Sequence, residues 1–217
     1  MAPLLAIPPF PGGRAPAFAA PGGNGEGDVQ TLLAALAQHR VGGNYWGRQV
    51  AGPALLDATN WPADADPWSL LDTASEVRLA ADDPRALLAL AAGKLSMPDA
   101  AAAALVRTHL TGWHWRDPFS GAIISPLQAI ELCGFWRQMI DGNRGIAAAL
   151  GFAYWKRPTV APLLWNGAET PFRRGVPVLA EADKVAIWRS RLSAAQAKAL
   201  QGRPVLEVED GFIRSAG

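Results

Sequence analysis

The sequence of 217 residues is poor in the features that define several large protein classes. It contains a single cysteine, Cys133, which excludes a disulfide framework and a zinc site built from several cysteines. It has no uninterrupted apolar run of about 18 residues, so a transmembrane helix is not expected. The formal net charge is only +1, which argues against a protein that binds nucleic acid through bulk charge. Neither a Walker loop nor a G-x-G-x-x-G phosphate loop is present.

A secretory signal is also missing. The first stretch is apolar but contains five prolines before residue 17, and its first basic residue is Arg14. Because a signal peptide needs a basic start and an unbroken apolar segment, we predict a cytoplasmic protein. Prolines prevent a helix and several glycines follow, so residues 1–27 are predicted to form an irregular or disordered tail.

The remaining composition is that of a globular protein, with 50% hydrophobic and 18% charged residues. Charge is distributed unevenly along the chain. Up to Val106 there are 6 basic and 10 acidic residues, whereas from Arg107 onward there are 14 basic and 9 acidic residues. This change of sign favours two units with different surroundings, although solvated surfaces of chance composition remain an alternative.

Residues 28–142 carry several helix start signals. Aspartates that precede apolar periodicity or a proline predict helices over residues 29–39, 67–74 and 84–92. Capping-box spacings, Ser96 with Asp99 and Ser125 with Gln128, predict helices over residues 97–110 and 126–141. Short strands are predicted at residues 44–50 and 76–80.

The last 75 residues show a different pattern. Four short apolar runs, at residues 146–150, 176–179, 185–188 and 205–208, alternate with predicted helices at 157–165 and 193–201. Short apolar runs that alternate with helices are typical of a parallel α/β sheet. We therefore predict an α/β fold in which a helical N-terminal remnant precedes the first half of a Rossmann-like, GT-B-like domain.

A resemblance to a known family begins at the end of the chain. Residues 209–217 read EDGFIRSAG, which resembles the signature of the capsular polysaccharide biosynthesis and export family. That family includes the retaining β-Kdo transferases, which build a Kdo linker on a phospholipid. The segments YWKR at 154–157, DKVAIW at 183–188 and WRDPFSG at 115–121 are similar to family segments as well. Arg189 stands where relatives have a glycine, and residues 83–93 resemble the end of a module only weakly.

The resemblance implies that this chain spans the junction between two modules of such a protein. We accordingly predict that residues 28–124 are the degenerate, mostly helical tail of a first module. Residues 125–142 would then form a linking helix. Residues 143–217 would be the truncated start of a second, Rossmann-like module.

The strand-end motif supplies most of the candidate substrate-binding residues. Glu209 and Asp210 would orient sugar hydroxyls or act in acid–base chemistry. Gly211 would permit a tight turn, and Arg214 would pair with the Kdo carboxylate or a phosphate. In the structural alternative, Asp210 and Ser215 cap the next helix while Arg214 pairs with Glu209.

Two further candidates are Lys156 and Arg157, which would face a phosphate at a helix N-terminus. The alternative is a solvated helix start. The other chemistry-bearing residues are expected in structural roles, with Cys133 as a small core residue and most of the nine tryptophans in the core. His109 and His114 lack partners at ligand spacing, so no metal site is predicted.

The reaction follows from the resemblance alone. Relatives use CMP-Kdo as donor and a lipid-linked glycan as acceptor, and they retain configuration through a covalent sugar–enzyme intermediate. The family's nucleophilic aspartate and His-Pro pair lie downstream of the EDGF motif, so no catalytic residue is assigned and the chain alone is expected to be inactive. No cofactor is expected beyond the CMP-Kdo donor. Capsule-assembly proteins are the expected partners, and peripheral contact with the inner membrane is left open.

Two other interpretations remain at this point. The chain would be a non-catalytic module that docks to another capsule-assembly protein, or an unrelated α/β protein that matches the motif by accident. An exposed sheet edge would favour docking, because unpaired strand edges promote association.

Overall fold

The computed structural model describes residues 3–13, 16–169 and 171–209 of the chain. These residues form two compact units. Unit 1 takes its described residues from Met1–Pro9 and Arg14–Gln138, and unit 2 takes them from Phe10–Gly13 and Met139–Gly217. Both units combine helices with parallel strands, so the fold is mixed α/β, which confirms the predicted class at that level.

Unit 1 is built mainly from helices that pack around apolar side chains. Helix α1 packs against α3 and α4, and α2 packs against α3. A π-helical turn, Arg107–Thr111, continues α4. The elements in chain order are β1 Ala19–Pro21, α1 Val29–His39, β2 Leu55–Asp57, α2 Pro67–Thr73, β3 Glu76–Arg78, α3 Pro84–Ala91, α4 Asp99–Val106, β4 Trp113–Arg116, β5 Ile123–Ile124 and α5 Pro126–Asn143, whose last five residues belong to unit 2.

The strands of unit 1 form two small sheets. An antiparallel sheet has the order β1-β4-β5, and β2 pairs in parallel with β3. In the parallel pair Leu56 lies opposite Val77, and both side chains are buried. The segment DPFSG forms the connection between β4 and β5, where the carboxylate of Asp117 accepts hydrogen bonds from the backbone of Phe119 and Ser120.

The described part of the N-terminal segment is mostly irregular, which the prediction of an irregular or disordered tail allowed, and several of its residues pack into unit 1. Leu4, Leu5 and Phe18 are buried, and β1 pairs with β4. The backbone of Leu4 donates to the carbonyl of His109. Prolines exclude a helix from this segment, but they do not prevent its apolar side chains from being buried.

Local start signals account for most of the helix boundaries. The carboxylates of Asp28, Asp66 and Asp83 each accept a hydrogen bond from a backbone N–H of the first turn, as predicted. The capping box of Ser125 and Gln128 is present with both of its hydrogen bonds.

Two predictions for unit 1 are wrong. Helix α4 begins at Asp99 after Pro98 and has no side-chain cap, so Ser96 starts no helix. Proline disfavours helical geometry in the residue before it, which delays the start to the far side of Pro98. Residues 44–50 form a turn and one isolated bridge between Arg48 and Ala65 in place of a strand.

A buried ion pair lies at the centre of unit 1. The guanidinium of Arg137, on α5, contacts both carboxylate oxygens of Asp66 at 3.0 and 2.7 Å. The side chains are only 5% and 0% exposed. Arg137 also donates to the backbone carbonyls of Arg40 and Tyr45 at 3.1 and 2.9 Å. One side chain therefore joins α5 to the start of α2 and to the turn that follows α1.

Unit 2 contains a parallel sheet in the order β6-β7-β8. The elements of unit 2 in chain order are β6 Ile146–Leu150, α6 Arg157–Val160, β7 Lys184–Ile187, α7 Ala194–Ala199 and β8 Val205–Glu207. Two 3-10 turns lie at Tyr154–Lys156 and Arg189–Arg191. A capping box formed by Ser193 and Gln196 starts α7, a feature that was not predicted from the sequence.

Side chains of the central strand alternate between two covered faces of this sheet. Ala186 and Trp188 belong to an apolar cluster on face A, which the α6 segment covers through Val160. Val185 and Ile187 belong to a second cluster on face B. Strands buried on both faces need apolar residues at nearly every position, which explains the apolar runs of β6 and β7.

The segments between the strands cover both faces of the sheet. Phe172 forms a parallel bridge with Ala149 beside β6. Val176 and Leu179, which precede β7, pack on face B, and so does Leu200, which precedes β8. The connection from β6 to β7 therefore contacts both faces, since Val160 and Phe172 pack with face A whereas residues 176–179 pack with face B.

Two predicted elements of unit 2 differ from the structure. The apolar run at 176–179 is irregular and packs on face B, so the predicted strand is wrong. The helix predicted at 157–165 ends at Val160 and continues as turns. In the part of the chain that the structure describes, no helix is long and apolar enough to cross a membrane.

The ion pair in unit 1 makes a testable prediction. We expect Arg137→Met to lower the free energy of unfolding by about 3–5 kcal/mol, because the carboxylate of Asp66 would stay buried without its counter-ion. Urea unfolding followed by circular dichroism measures this loss.

Arg48→Met is the matched control, since it breaks an arginine–aspartate pair whose side chains are 61% and 66% exposed. Its expected cost is below about 1 kcal/mol. Equal losses from the two variants would show that burial of the pair has no energetic role.

Candidate functional site

Charged and aromatic side chains collect where the strands of unit 2 end. Because β6, β7 and β8 are parallel, their last residues Leu150, Ile187 and Glu207 lie along one edge. We call this the carboxyl edge and define it as residues 151–157, 188–191 and 207–209. Open α/β sheets bind ligands at such an edge, which makes it the candidate site.

The turn after β6 needs a glycine. Gly151 has a φ of +81°, and a Cβ at this position would lie 2.8 Å from the carbonyl oxygen of Trp188. The backbone N–H of Trp188 donates to Leu150 at 2.9 Å. The ends of β6 and β7 therefore approach more closely than a residue with a side chain would permit.

Two cations at the carboxyl edge lie against tryptophan rings. The Nζ atom of Lys156 is 4.0 Å from the ring centroid of Trp188. The Cζ atom of Arg191 is 5.3 Å from the ring centroid of Trp155. Cation–ring contacts position a charge and leave part of it available to an anion.

Arg157 makes a third contact of this type. Its Cζ atom is 5.2 Å from the ring centroid of Phe172, which pairs beside β6. Its Nε atom is buried and finds no hydrogen-bond partner among the described residues. Buried donors without a partner are uncommon in folded proteins.

Arg189 and Glu207 form an ion pair across the ends of β7 and β8. Arg189 Nε donates to Glu207 at 2.9 Å, and a second contact joins Nη2 to the other carboxylate oxygen. The hydrogen bond from Arg189 lowers the pKa of Glu207. The pKa of Arg189 is raised mainly by the same bond, and the charge of Glu209 adds to this effect.

Two aromatic rings at the edge are open to solvent. Tyr154 is 81% exposed and Trp155 is 69% exposed. Exposed rings beside charged groups are suited to stack on the apolar faces of sugars or bases. Together with the cations, they equip this edge to bind an anion that carries a ring.

The structure brings three of the predicted site residues to this edge. Lys156, Arg157 and Glu209 all lie on it, and Glu209 is exposed. Helix α6 has only four residues, so the two cations act through their side chains and not as part of a helix N-terminus. The other four predicted residues, Asp210, Gly211, Arg214 and Ser215, lie outside the described residues.

Several residues of the edge were missed from the sequence. Arg189 and Arg191 were not proposed as candidates, and Trp155 was expected in the core. Basic and aromatic residues shortly after the apolar runs at 146–150 and 185–188 are the signal that would have found them. Five of the nine tryptophans are buried as expected, and they are Trp68, Trp115, Trp136, Trp165 and Trp188.

Other chemistry-bearing residues have structural roles. Cys133 is buried, and burial raises the pKa of its thiol to about 12, so a reactive thiolate is excluded at neutral pH. This confirms its predicted place in the core. Among the described residues, no three metal-ligating side chains come together.

The chain was compared with family models, with curated proteins and with solved structures, and no match was found in any of the three. The family resemblance therefore depends on the short motifs alone.

The ion pair at the carboxyl edge has a pH signature. Since Arg189 lowers the pKa of Glu207 from its usual 4.5, the pair contributes stability above pH 4.5. This contribution is lost as the pH falls through the lowered pKa of the folded state. A 13C NMR titration of the Glu207 carboxyl should show the lowered value, and Arg189→Met should return it towards 4.5.

Arg203→Met is the control, because Arg203 bonds the carbonyl of Ala180 before β8 begins. A Glu207 pKa that responds equally to both arginine variants would refute the pairing.

Proposed function

We propose that this chain is part of a capsular polysaccharide glycosyltransferase of the retaining β-Kdo type, and that unit 2 contributes contacts to an acidic sugar or its nucleotide donor. One observation carries the proposal. The carboxyl edge, which directly precedes the EDGFIRSAG segment, combines exposed aromatic rings with Lys156, Arg157, Arg189 and Arg191.

The arrangement of unit 2 supports a Rossmann-like interpretation. Three parallel strands in sequential order, of which β6 and β7 are buried on both faces, match the start of such a domain. In that fold the ligand lies at the carboxyl ends of the strands. The motif that resembles the capsule family begins at Glu209, two residues after β8 ends.

The chemistry of the edge suits Kdo, which carries a carboxylate on a sugar ring. Lys156 and Arg157 would pair with the carboxylate or the donor phosphate. The rings of Tyr154 and Trp155 would stack against the sugar. Glu209 would accept hydrogen bonds from sugar hydroxyls. No described carboxylate is assigned as nucleophile, so this chain is proposed to bind and orient the sugar.

Titration of free Kdo into the 15N-labelled chain tests the proposal. We expect Kdo to shift the indole N–H signals of Trp155 and Trp188, and Lys156→Met to weaken this binding by about tenfold, or about 1.4 kcal/mol, through loss of a charged contact.

Lys184→Met provides the matched control. Lys184 is an exposed cation of the same sheet, but it lies at the start of β7, at the end of the strands opposite to the carboxyl edge. It should leave Kdo binding unchanged. An absence of edge shifts, or an equal loss in both lysine variants, would reject the proposal.

The motif itself can be tested in the organism that encodes the chain. Asp210→Ala should reduce the amount of capsular polysaccharide at the cell surface. A variant with normal capsule would favour a chance match of the motif in an unrelated α/β protein.

A docking module is the second candidate, and strand β8 favours it. β8 pairs with β7 on one side, and within the described residues no strand pairs with its other side. Val205 and Leu206 are 38% and 42% exposed. An apolar edge strand is a template for pairing with another chain.

Sedimentation velocity separates the two candidates. Concentration-dependent association that Leu206→Lys abolishes, in a chain that does not bind Kdo, would favour docking. A chain that binds Kdo and stays monomeric would favour the transferase.

A further inference from the structure

Unit 1 contains a cavity of about 530 Å³, a volume typical of small-molecule sites. None of the described carboxyl-edge residues lines it. Its wall includes the N-terminal segment through Leu4, which is held by hydrogen bonds to His109 and Gly43. The site is therefore distinct from the proposed sugar-binding edge and requires a separate explanation.

The wall is apolar and built from rigid groups. Leu88 and Ala65 are buried residues of the wall. Four prolines and one tryptophan also line the cavity, and they are Pro3, Pro62, Pro67, Pro84 and Trp61. Proline rings and packed core residues have little freedom to collapse, so the cavity is preformed and would accept an apolar body at low entropic cost.

The one cation of the wall that the structure describes is already neutralised. Arg85 donates from Nε and Nη2 to the two carboxylate oxygens of Asp83, at 2.9 and 2.6 Å. Its Nη1 atom donates to the carbonyl of Ala58, and its Cζ atom lies 5.4 Å from the ring centroid of Trp61. The guanidinium of Arg85 and the indole of Trp61 therefore present flat surfaces to the cavity. The carboxylate of Asp82 also lines the cavity.

A few polar groups interrupt this apolar wall. Asn44 and Thr108 are partly exposed, whereas His109 is buried. The side-chain amide of Asn44 donates to the carbonyl of Ala63 at 3.2 Å, and its oxygen is available as an acceptor. Such sparse polar groups fix the orientation of a ligand that binds mainly by apolar contact.

We infer that this cavity binds an uncharged, mainly apolar ring compound with one hydrogen-bonding group. Flat walls favour a ring over a flexible chain. An anionic ligand is disfavoured for two reasons. Arg85 is already paired with Asp83, and the carboxylate of Asp82 in the wall would repel a second negative charge.

A matched pair of probes tests both the site and the ligand class. 1-Naphthaleneethanol is uncharged, and 1-naphthaleneacetate carries a carboxylate on the same ring. We expect saturable binding of the alcohol and at least about tenfold weaker binding of the acetate, measured by calorimetry. Absence of saturable binding of the alcohol, or equal affinities, would overturn the inference.

The imidazole NMR signals of the three histidines show where the alcohol binds. His109 lines the cavity, and the alcohol should shift its imidazole NMR signals. Neither His39 nor His114 lines it, so their signals should stay unchanged. Saturable binding that leaves the His109 signals in place would contradict the assigned site.

A blocking variant completes the test. Ala63 is exposed and lines the cavity, so Ala63→Trp should abolish binding of the alcohol without disturbing the core. Ala104→Trp, at an exposed position of α4 outside the cavity, should bind as the unaltered chain does. Equal binding by the two variants would place the probe elsewhere and refute the inference.

Discussion

The buried ion pair between Arg137 and Asp66 is the interaction on which unit 1 depends. It joins α5 to the start of α2, and the same guanidinium satisfies carbonyls of Arg40 and Tyr45. Asp66 also caps α2. An unpaired charge in this position would cost several kcal/mol, so α2, α5 and the turn after α1 must assemble together. The cavity beside α2 and α3 is formed by the same assembly, since Pro67 and Ala65 flank Asp66 and line it.

Two sites of opposite character follow from this architecture. The carboxyl edge of unit 2 is open and charged, and its cations are held against aromatic rings. The cavity of unit 1 is apolar, and its guanidinium is neutralised by Asp83. The first arrangement suits an acidic sugar, and the second suits an uncharged ring compound. Each site is formed within one unit, so the two binding proposals are independent of one another.

Predictions from the sequence succeeded where a local interaction decides the structure. Asp28 and Ser125 start their helices by bonding nearby backbone groups, and such contacts are encoded by neighbouring residues. Predictions failed where distant groups compete with local preference. Residues 176–179 have the pattern of a strand, yet they pack as irregular chain on face B. The N-terminal segment was predicted to be irregular or disordered, and the burial of Leu4 was not foreseen because it depends on residues about a hundred positions away.

The sequence by itself determined the mixed α/β class, the positions of most helix starts, the parallel strands β6, β7 and β8, and the placement of Lys156, Arg157 and Glu209 after strands. Each of these follows from periodicity or from capping between neighbours. Only the tertiary structure decided that Arg137 pairs with Asp66, that Arg191 lies against Trp155, and that unit 1 forms a cavity. These features join residues far apart in sequence, and their pairing depends on which surfaces meet when the chain packs.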